Sequence, residues 1–295
     1  MWGKMGKIRY NFGDLPLEFS GQEGSRVEII PVPYEATVTY RRGTGKGPEA
    51  IIKASQNMEL YDEELEGEPY RVGIYTAPMI KDVSLPPEAM VEEVYHRIKL
   101  SLSSGKFPVI LGGEHSITVG AVKAFVEFYP DLSVLQLDAH ADLRDSYQDS
   151  FYNHACVMRR VEEYSPFLGL GIRSLSKEEA EYIKDRSLKI ITAWDILQGK
   201  DWRNLILHHL SGEVYLTIDL DVLDPSIMPA VGTPEPGGLG WYQILTILRY
   251  LAQNKRVVGM DVVELSPLEG NIAPDFLAAK LIYKAIGYIF PKGKR

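Results

Sequence analysis

Asp138-Ala-His140-Ala-Asp142 places two carboxylates and an imidazole at alternate positions directly after the apolar run Leu132-Ser-Val-Leu-Gln-Leu137. Oxygen and nitrogen donors of this kind hold divalent cations. If the backbone is still extended, a period of two points all three side chains the same way. The spacing therefore predicts three metal ligands at the end of a buried strand. Alone, the same stretch also suits a chain in which one carboxylate caps a helix and the histidine packs.

Three further stretches repeat the arrangement. Asp219-Leu-Asp221, leading on to Asp224-Pro225, follows the apolar run Val214 to Ile218, and Glu264 closes the run Arg256 to Val263. His115 stands in Gly112-Gly113-Glu114-His115-Ser116, after Phe107 to Leu111. The two glycines are expected to let the backbone turn tightly and throw His115 out at the strand's end; helix capping together with Ser116 is its other reading. Four aspartates and two histidines at one place would repel one another and resist desolvation without cations. Two divalent ions would offset the charge. Carboxylates and imidazoles without thiolates suit manganese, with zinc, nickel and cobalt also compatible. A close pair of metals acidifies a shared water, which is hydrolytic chemistry. No Walker loop or dinucleotide fingerprint is present, and Ser116 does not sit in a nucleophile elbow.

The elements that must position these groups alternate. Strands are expected at Val27 to Pro33, Arg71 to Thr76, Phe107 to Leu111, Leu132 to Leu137, Phe167 to Gly171, Leu188 to Thr192, Val214 to Ile218 and Arg256 to Val263. Helical patterns lie between them, including Pro48 to Met58, Pro87 to Ser103, a helix ending near Phe128, Lys177 to Lys184, Trp202 to Leu210, one from Trp241, and Pro274 to Phe290. Alternation of this kind implies right-handed βαβ units and an α/β fold with one mostly parallel sheet. Ligands of such sheets bind outside the carboxyl ends of the strands, where all four stretches fall. The expectation is one domain over residues 1–295, with 1–26 as an arm lying over the domain or against a neighbouring subunit. His96, His208 and His209 follow no ligand spacing and receive no catalytic role.

Composition limits the partners. The 295 residues are 45% hydrophobic and 24% charged, ordinary for a globular protein, with a formal charge of −8. That charge argues against nucleic acid and suits a small cationic substrate. The single cysteine, Cys156, read as buried packing, excludes an internal disulfide and a cysteine-cluster metal site. The N-terminus lacks the apolar region of a secretory signal, and Phe276 to Phe290, interrupted by Lys280 and Lys284, is too short to span a bilayer. A cytoplasmic protein without a membrane partner is expected.

Gly112-Gly-Glu-His115-Ser, Asp138-Ala-His-Ala-Asp142 and Thr217-Ile-Asp219-Leu-Asp221-Val-Leu-Asp-Pro225 resemble, in order, the three signature blocks of the ureohydrolase family, the arginases and agmatinases. The similarity runs from Pro31-Val-Pro-Tyr-Glu to the last helix. It implies a three-layer αβα sandwich with a central eight-stranded parallel sheet and two manganese ions per subunit. One ion would take His115, Asp138, Asp142 and Asp219, the other Asp138, His140, Asp219 and Asp221, so that Asp138 and Asp219 bridge and a hydroxide lies between the metals. Glu264 matches the carboxylate that holds the substrate guanidinium, and His154 the histidine that passes a proton to the leaving amine. Thr233, in Gly232-Thr-Pro-Glu-Pro-Gly-Gly238, matches a loop residue near the guanidinium, and as a turn residue it has a second reading. Homo-trimers or hexamers are usual in the family.

The stretch Leu143 to His154 and the loop from Gly232 to Gly238 resemble agmatinases more than arginases. The expected reaction is hydrolysis of agmatine to putrescine and urea, in polyamine biosynthesis; aminopropylagmatine, guanidinobutyrate and arginine are the alternative substrates. Asp145 and Asp149 offer charge for agmatine's distal ammonium, whereas Arg144 would either meet a substrate carboxylate or pair with a neighbouring acid. Asn153 stands where many relatives have serine. A metal-dependent deacetylase on a related fold, or a non-catalytic metal-binding protein, would account for fewer of these residues.

Overall fold

The computed structural model describes residues 10–291. Among them, one sheet holds β1 (Val27–Val32), β2 (Ile74–Thr76), β3 (Phe107–Gly112), β4 (Ser133–Leu137), β5 (Phe167–Ile172), β6 (Lys189–Thr192), β7 (Glu213–Asp219) and β8 (Arg256–Val263). All neighbours pair in parallel, in the order β2-β1-β3-β8-β7-β4-β5-β6. The helices are α1 (Leu17–Ser20), α2 (Gly47–Ser55), α3 (Pro87–Ser103), α4 (Thr118–Phe128), α5 (Val157–Val161), α6 (Lys177–Arg186), α7 (Ala193–Leu197), α8 (Trp202–His208), α9 (Trp241–Asn254) and α10 (Ala273–Ile289).

Strand periodicity divides the apolar residues into two cores. Val27, Ile29, Leu135, Leu137, Val214, Leu216 and Ile218 face one side, with residues of α2, α8, α9 and α10 packed against them. Ile30, Val32, Val134 and Tyr215 face the other, against α3, α4 and α5. Strands buried on both faces need continuous apolar runs, and those runs are what the sequence supplies. The result is the expected αβα sandwich. Pro48, Pro87 and Pro274 sit in the first turns of α2, α3 and α10, where a missing N–H loses nothing. Ser176 and Glu179 form a capping box that starts α6.

Differences from the expected boundaries have local causes. Pro69–Val72 winds as a 3-10 turn, so β2 begins only at Ile74. The helices α5 and α7, five residues each, are too short to show a period and were not anticipated. Residues 1–9 of the expected arm lie outside the described residues. Beyond them, Phe12 and Leu15 are fully buried. The Phe12 N–H donates to Thr76 Oγ1 of edge strand β2 at 2.9 Å, and the Gly13 N–H to Ser55 Oγ of α2 at the same distance. This part of the chain therefore covers a sheet edge. Among the described residues, no helix is long and apolar enough to cross a membrane.

The strand order decides where ligands can bind. β3 and β4 are consecutive in the chain, yet β8 and β7 lie between them in the sheet. Connections leaving β3 and β4 on either side of such a gap open a crevice at the carboxyl ends of the strands. The four strands that carry His115, Glu264, Asp219 and Asp138 are therefore the adjacent set β3-β8-β7-β4.

Candidate metal centre

His115 opens the turn after β3 and is 1% exposed. A side chain on Gly113 would place its Cβ 2.0 Å from the Tyr34 carbonyl oxygen. Glycine is thus required there by close approach of the segment after β1. The expectation of a tight glycine turn is corrected, because neither Gly112 nor Gly113 adopts a positive φ. Once placed, His115 Nε2 lies 2.8 Å from Thr217 Oγ1, which itself donates to Asp261 Oδ1 at 2.6 Å. Tyr215 and Thr118 donate to Asp261 Oδ2 at 2.6 and 2.8 Å. Since the Thr217 proton goes to the carboxylate, its lone pair accepts from His115 Nε2–H. The Nδ1 lone pair of His115 then faces Asp142 Oδ2, Asp138 Oδ2 and Asp219 Oδ2 at 3.1, 3.2 and 3.4 Å. Although buried, that nitrogen has no hydrogen-bond partner. An orphaned imidazole nitrogen aimed at three carboxylate oxygens is the environment a metal ion completes.

Asp138 is fully buried; its Oδ2 accepts from Gln136 Nε2 at 2.9 Å and its Oδ1 from the His140 N–H at 2.6 Å. His140 Nδ1 lies 2.8 Å from Asp221 Oδ2 and 3.8 Å from Asp138 Oδ1. The Asp221 Oδ1 atom accepts from the Ala139 N–H at 2.9 Å, and the Asp221 N–H donates to Asp219 Oδ1 at the same distance. Two ligand groups emerge, His115-Asp138-Asp219 and Asp138-His140-Asp221, sharing Asp138. Asp142 joins the first through its 3.1 Å approach to His115 Nδ1. Asp219 belongs here to the first group only.

The Asp138 stretch does not converge as the extended end of a strand. Strand β4 stops at Leu137, and Asp142 adopts a left-handed backbone with φ 52°. Its carbonyl accepts from the Met158 and Arg159 N–H groups at 2.9 and 3.2 Å. A curled loop pinned by the start of α5, not an extended strand, brings the carboxylate inward.

Burial raises the Asp138 pKa to about 7, helped by Asp142 and Asp221. Burial likewise pushes Asp219 well above the usual range, with Asp221 and Asp138 adding to it. For His140, burial acts downward, but the Asp221, Asp138 and Asp142 carboxylates together outweigh it and raise the pKa to about 11. Without cations this cluster takes up protons; divalent ions would do the same neutralisation.

Glu264 follows β8 at φ 68° and is 6% exposed. Its Oε1 accepts from the His115 N–H at 2.8 Å and lies 4.0 Å from His154 Nδ1. Burial and the charge of Glu114 raise its pKa. His154 is fixed by donation of its N–H to Thr37 Oγ1 at 2.9 Å, and its Nε2 lies 3.5 Å from Thr39 Oγ1. Burial lowers its pKa, against the carboxylates of Asp142 and Glu114. The Asn153 side chain accepts from the Ala155 N–H at 3.0 Å, a capping bond that serine also makes. Thr233 is half-buried in the loop beside Glu264; a Cβ on the preceding Gly232 would lie 3.7 Å from Glu264 Oε2.

The proposed tail contacts fare differently. Asp145 is exposed and bound by Arg160 at 2.8 Å, with Arg159 Nε at 3.6 Å. Asp149 is exposed in the Tyr147–Ser150 turn at φ 59°. Neither carboxylate is among those gathered around His115 and His140. Among the described residues Arg144 meets no acid; its guanidinium lies 4.9 Å over the Tyr147 ring. Cys156 is buried, and burial raises its pKa to about 11, as packing requires. His96 is exposed against Tyr95, and His209 faces the Phe167 carbonyl at 3.2 Å.

Several functional neighbours escaped the sequence reading. Glu114, fully buried, accepts from Ala36 and Thr37 backbone N–H groups and from the Thr37 and Ser116 hydroxyls at 2.6–2.7 Å. It thereby ties the segment that holds His154 to the one that holds His115. Asp261 had a signal, an acid inside an otherwise apolar strand run. Arg173 and Glu235 had none.

A parallel sheet with a buried Asp/His cluster at its switch point is the frame of an α/β enzyme with a candidate metal centre. The arginase-family model matches residues 25–287, and the chain belongs to that family, as a ureohydrolase. It is 44% identical over 270 residues to an N(1)-aminopropylagmatine ureohydrolase of Synechocystis sp., covering 89% of this chain and 88% of the relative. An agmatinase of Pyrococcus horikoshii is 35% identical over 264 residues, covering 88% and 90%. The crystal structure of an agmatine ureohydrolase of Thermoplasma volcanium superposes with a TM-score of 0.83 at 34% identity, covering 92% of each chain.

Proposed function

We propose that this chain hydrolyses the guanidinium of an amine-tailed guanidine, N(1)-aminopropylagmatine ahead of agmatine, releasing urea and the free amine. Placing the longer substrate first reorders the expectation from sequence, and its support is the 44% identity to an enzyme named for that substrate. The resident metals in this reading are two manganese ions, one held by His115, Asp138, Asp142 and Asp219, the other by Asp138, His140 and Asp221, with Asp219 able to complete it. Bound there, the ions would offset the carboxylate charge and acidify a water molecule.

The observation that carries the hydrolytic reading is the pair beside the cluster, buried Glu264 with its Oε1 4.0 Å from Nδ1 of half-buried His154. Glu264 presents a carboxylate to a planar cation that stays protonated, which orients the guanidinium carbon. Attack of water on that carbon forms a C–O bond and breaks the C–N bond to the tail. The departing nitrogen needs a proton, and His154, whose pKa burial lowers, would take up the proton that the attacking water releases and hand it to that nitrogen. One water is consumed, and urea and an amine leave.

Urea release from manganese-loaded protein tests this, with N(1)-aminopropylagmatine, agmatine, guanidinobutyrate and arginine side by side. The expected order in kcat/KM is aminopropylagmatine, agmatine, then the two carboxylate-bearing compounds near background. Absence of urea from all four would overturn the proposal, and agmatine in first place would overturn the substrate order.

A further inference from the structure

At the end of β5, Arg173 is surrounded by backbone carbonyls and by no carboxylate partner among the described residues. Its guanidinium donates to Asp221 O at 2.7 Å, Glu235 O at 2.8 Å, Gly171 O and Pro236 O at 3.1 Å, and lies 3.4 Å from Val222 O and Leu223 O. The backbone of the same residue reaches the other acidic stretch. Arg173 N–H and Ser174 N–H both donate to Ala139 O, at 2.7 and 2.9 Å. One residue thus joins the loop carrying Asp138 and His140, the turn carrying Asp221, and the loop carrying Glu235.

The surroundings are shaped to the guanidinium. A Cβ on Gly238 would fall 2.7 Å from Arg173 Nη2 and 2.5 Å from the backbone of Leu223 and Asp224, so only glycine lets the two loops close on it. The Glu235 side chain, once its backbone is held, accepts from Ser174 Oγ at 2.9 Å and comes within 3.8 Å of His140 Nε2. At that distance no hydrogen bond forms, but the charge of the carboxylate favours the proton on Nε2 and leaves Nδ1 to face Asp221. His115 has its own support through Thr217 and Asp261, which Arg173 does not touch.

We infer that Arg173 is a positioning residue for the His140–Asp221 half of the metal centre, setting the affinity of that position while leaving the His115 position to its own support. The inference rests on the two-metal reading above. A planar fork of five donors can hold several carbonyls at once, which a lysine ammonium cannot.

The test is manganese binding to Arg173→Gln and Arg173→Lys, followed by calorimetry and by electron paramagnetic resonance. Loss of outer partners of metal ligands weakens binding by roughly 10–100-fold. The first equivalent should bind within about threefold of wild type, and the second should weaken on that larger scale, less in Arg173→Lys. The coupled two-ion spectrum should give way to a one-ion spectrum matching His140→Asn and differing from His115→Asn. Equal weakening of both equivalents, or none, would overturn the assignment. Should Arg173→Gln fail to fold, Arg173→Lys alone decides on the same criteria. A wild-type protein that binds only one ion would instead refute the two-metal reading, and this inference with it.

Discussion

Thr217→Val removes one hydroxyl and keeps the shape of a β-branched strand residue. In the native arrangement that hydroxyl accepts from His115 Nε2–H at 2.8 Å and donates to Asp261 at 2.6 Å. Valine leaves the imidazole N–H buried and unpaired, since His115 is 1% exposed. A buried unpaired donor costs about 1–3 kcal/mol. The His115 ring can recover part of this by turning or by moving its proton to Nδ1, and either change withdraws the Nδ1 lone pair from Asp138, Asp142 and Asp219. Manganese binding at the His115 position should therefore weaken by roughly 10–100-fold, in line with other outer partners of metal ligands. Competition with a chelating dye measures this, with melting of the metal-free protein as the control. Thr217→Ser keeps the hydroxyl and should bind within a few-fold of wild type. If valine and serine variants bind alike, the relay through Thr217 does not set the ligand, and the tautomer argument fails.

Asp138 is shared by both ligand groups, so Asp138→Asn should lose metal and urea release together, whereas His154→Ala should retain both ions and lose mainly kcat; metal analysis beside steady-state kinetics distinguishes them. Lys284, buried against Asp62 at 2.9 Å, should on change to Met destabilise the fold by about 3–5 kcal/mol, because Asp62 keeps its backbone donors from Glu64 and Leu65 but is left buried without a countercharge; urea denaturation reads this, and the double variant with Asp62→Asn should recover most of it. Chelation should lower the melting temperature, since ions at about 100 times their Kd stabilise by about 2.7 kcal/mol; an unchanged melting curve would mean that the cluster binds no metal when folded.

The fold was legible because its strands are short, apolar and separated by helices, a pattern that permits little besides a covered parallel sheet. The strand order was not legible. Nothing in the chain states that β8 and β7 come to lie between β3 and β4, since that depends on which helix faces complement which strand surfaces. The ligand-bearing stretches were recognisable all the same, because carboxylates and imidazoles ending apolar runs must gather where strands end. His115, Asp138, His140, Asp219 and Asp221 each met that condition.

Groups that act through backbone atoms left no such trace. Arg173 binds carbonyl oxygens, which every residue has, so nothing in the sequences of the 219–224 turn or the 235–236 loop announces it. The exposed acids Asp145 and Asp149 showed the converse. Charge alone suggested attraction for a cationic tail, but Arg159 and Arg160 of α5 lie beside Asp145, and Arg160 satisfies it at 2.8 Å. A carboxylate already paired is a poor receptor for another cation unless the new site also removes it from water. Glu235 differs, because among the described residues no lysine or arginine side chain pairs with its carboxylate. Its Oε1 is held by Ser174, its backbone by Arg173, and the same oxygen sits 3.8 Å from His140 Nε2. Selection for a second ammonium on the substrate is therefore better sought in the Gly232–Gly238 loop than in the stretch after Asp142.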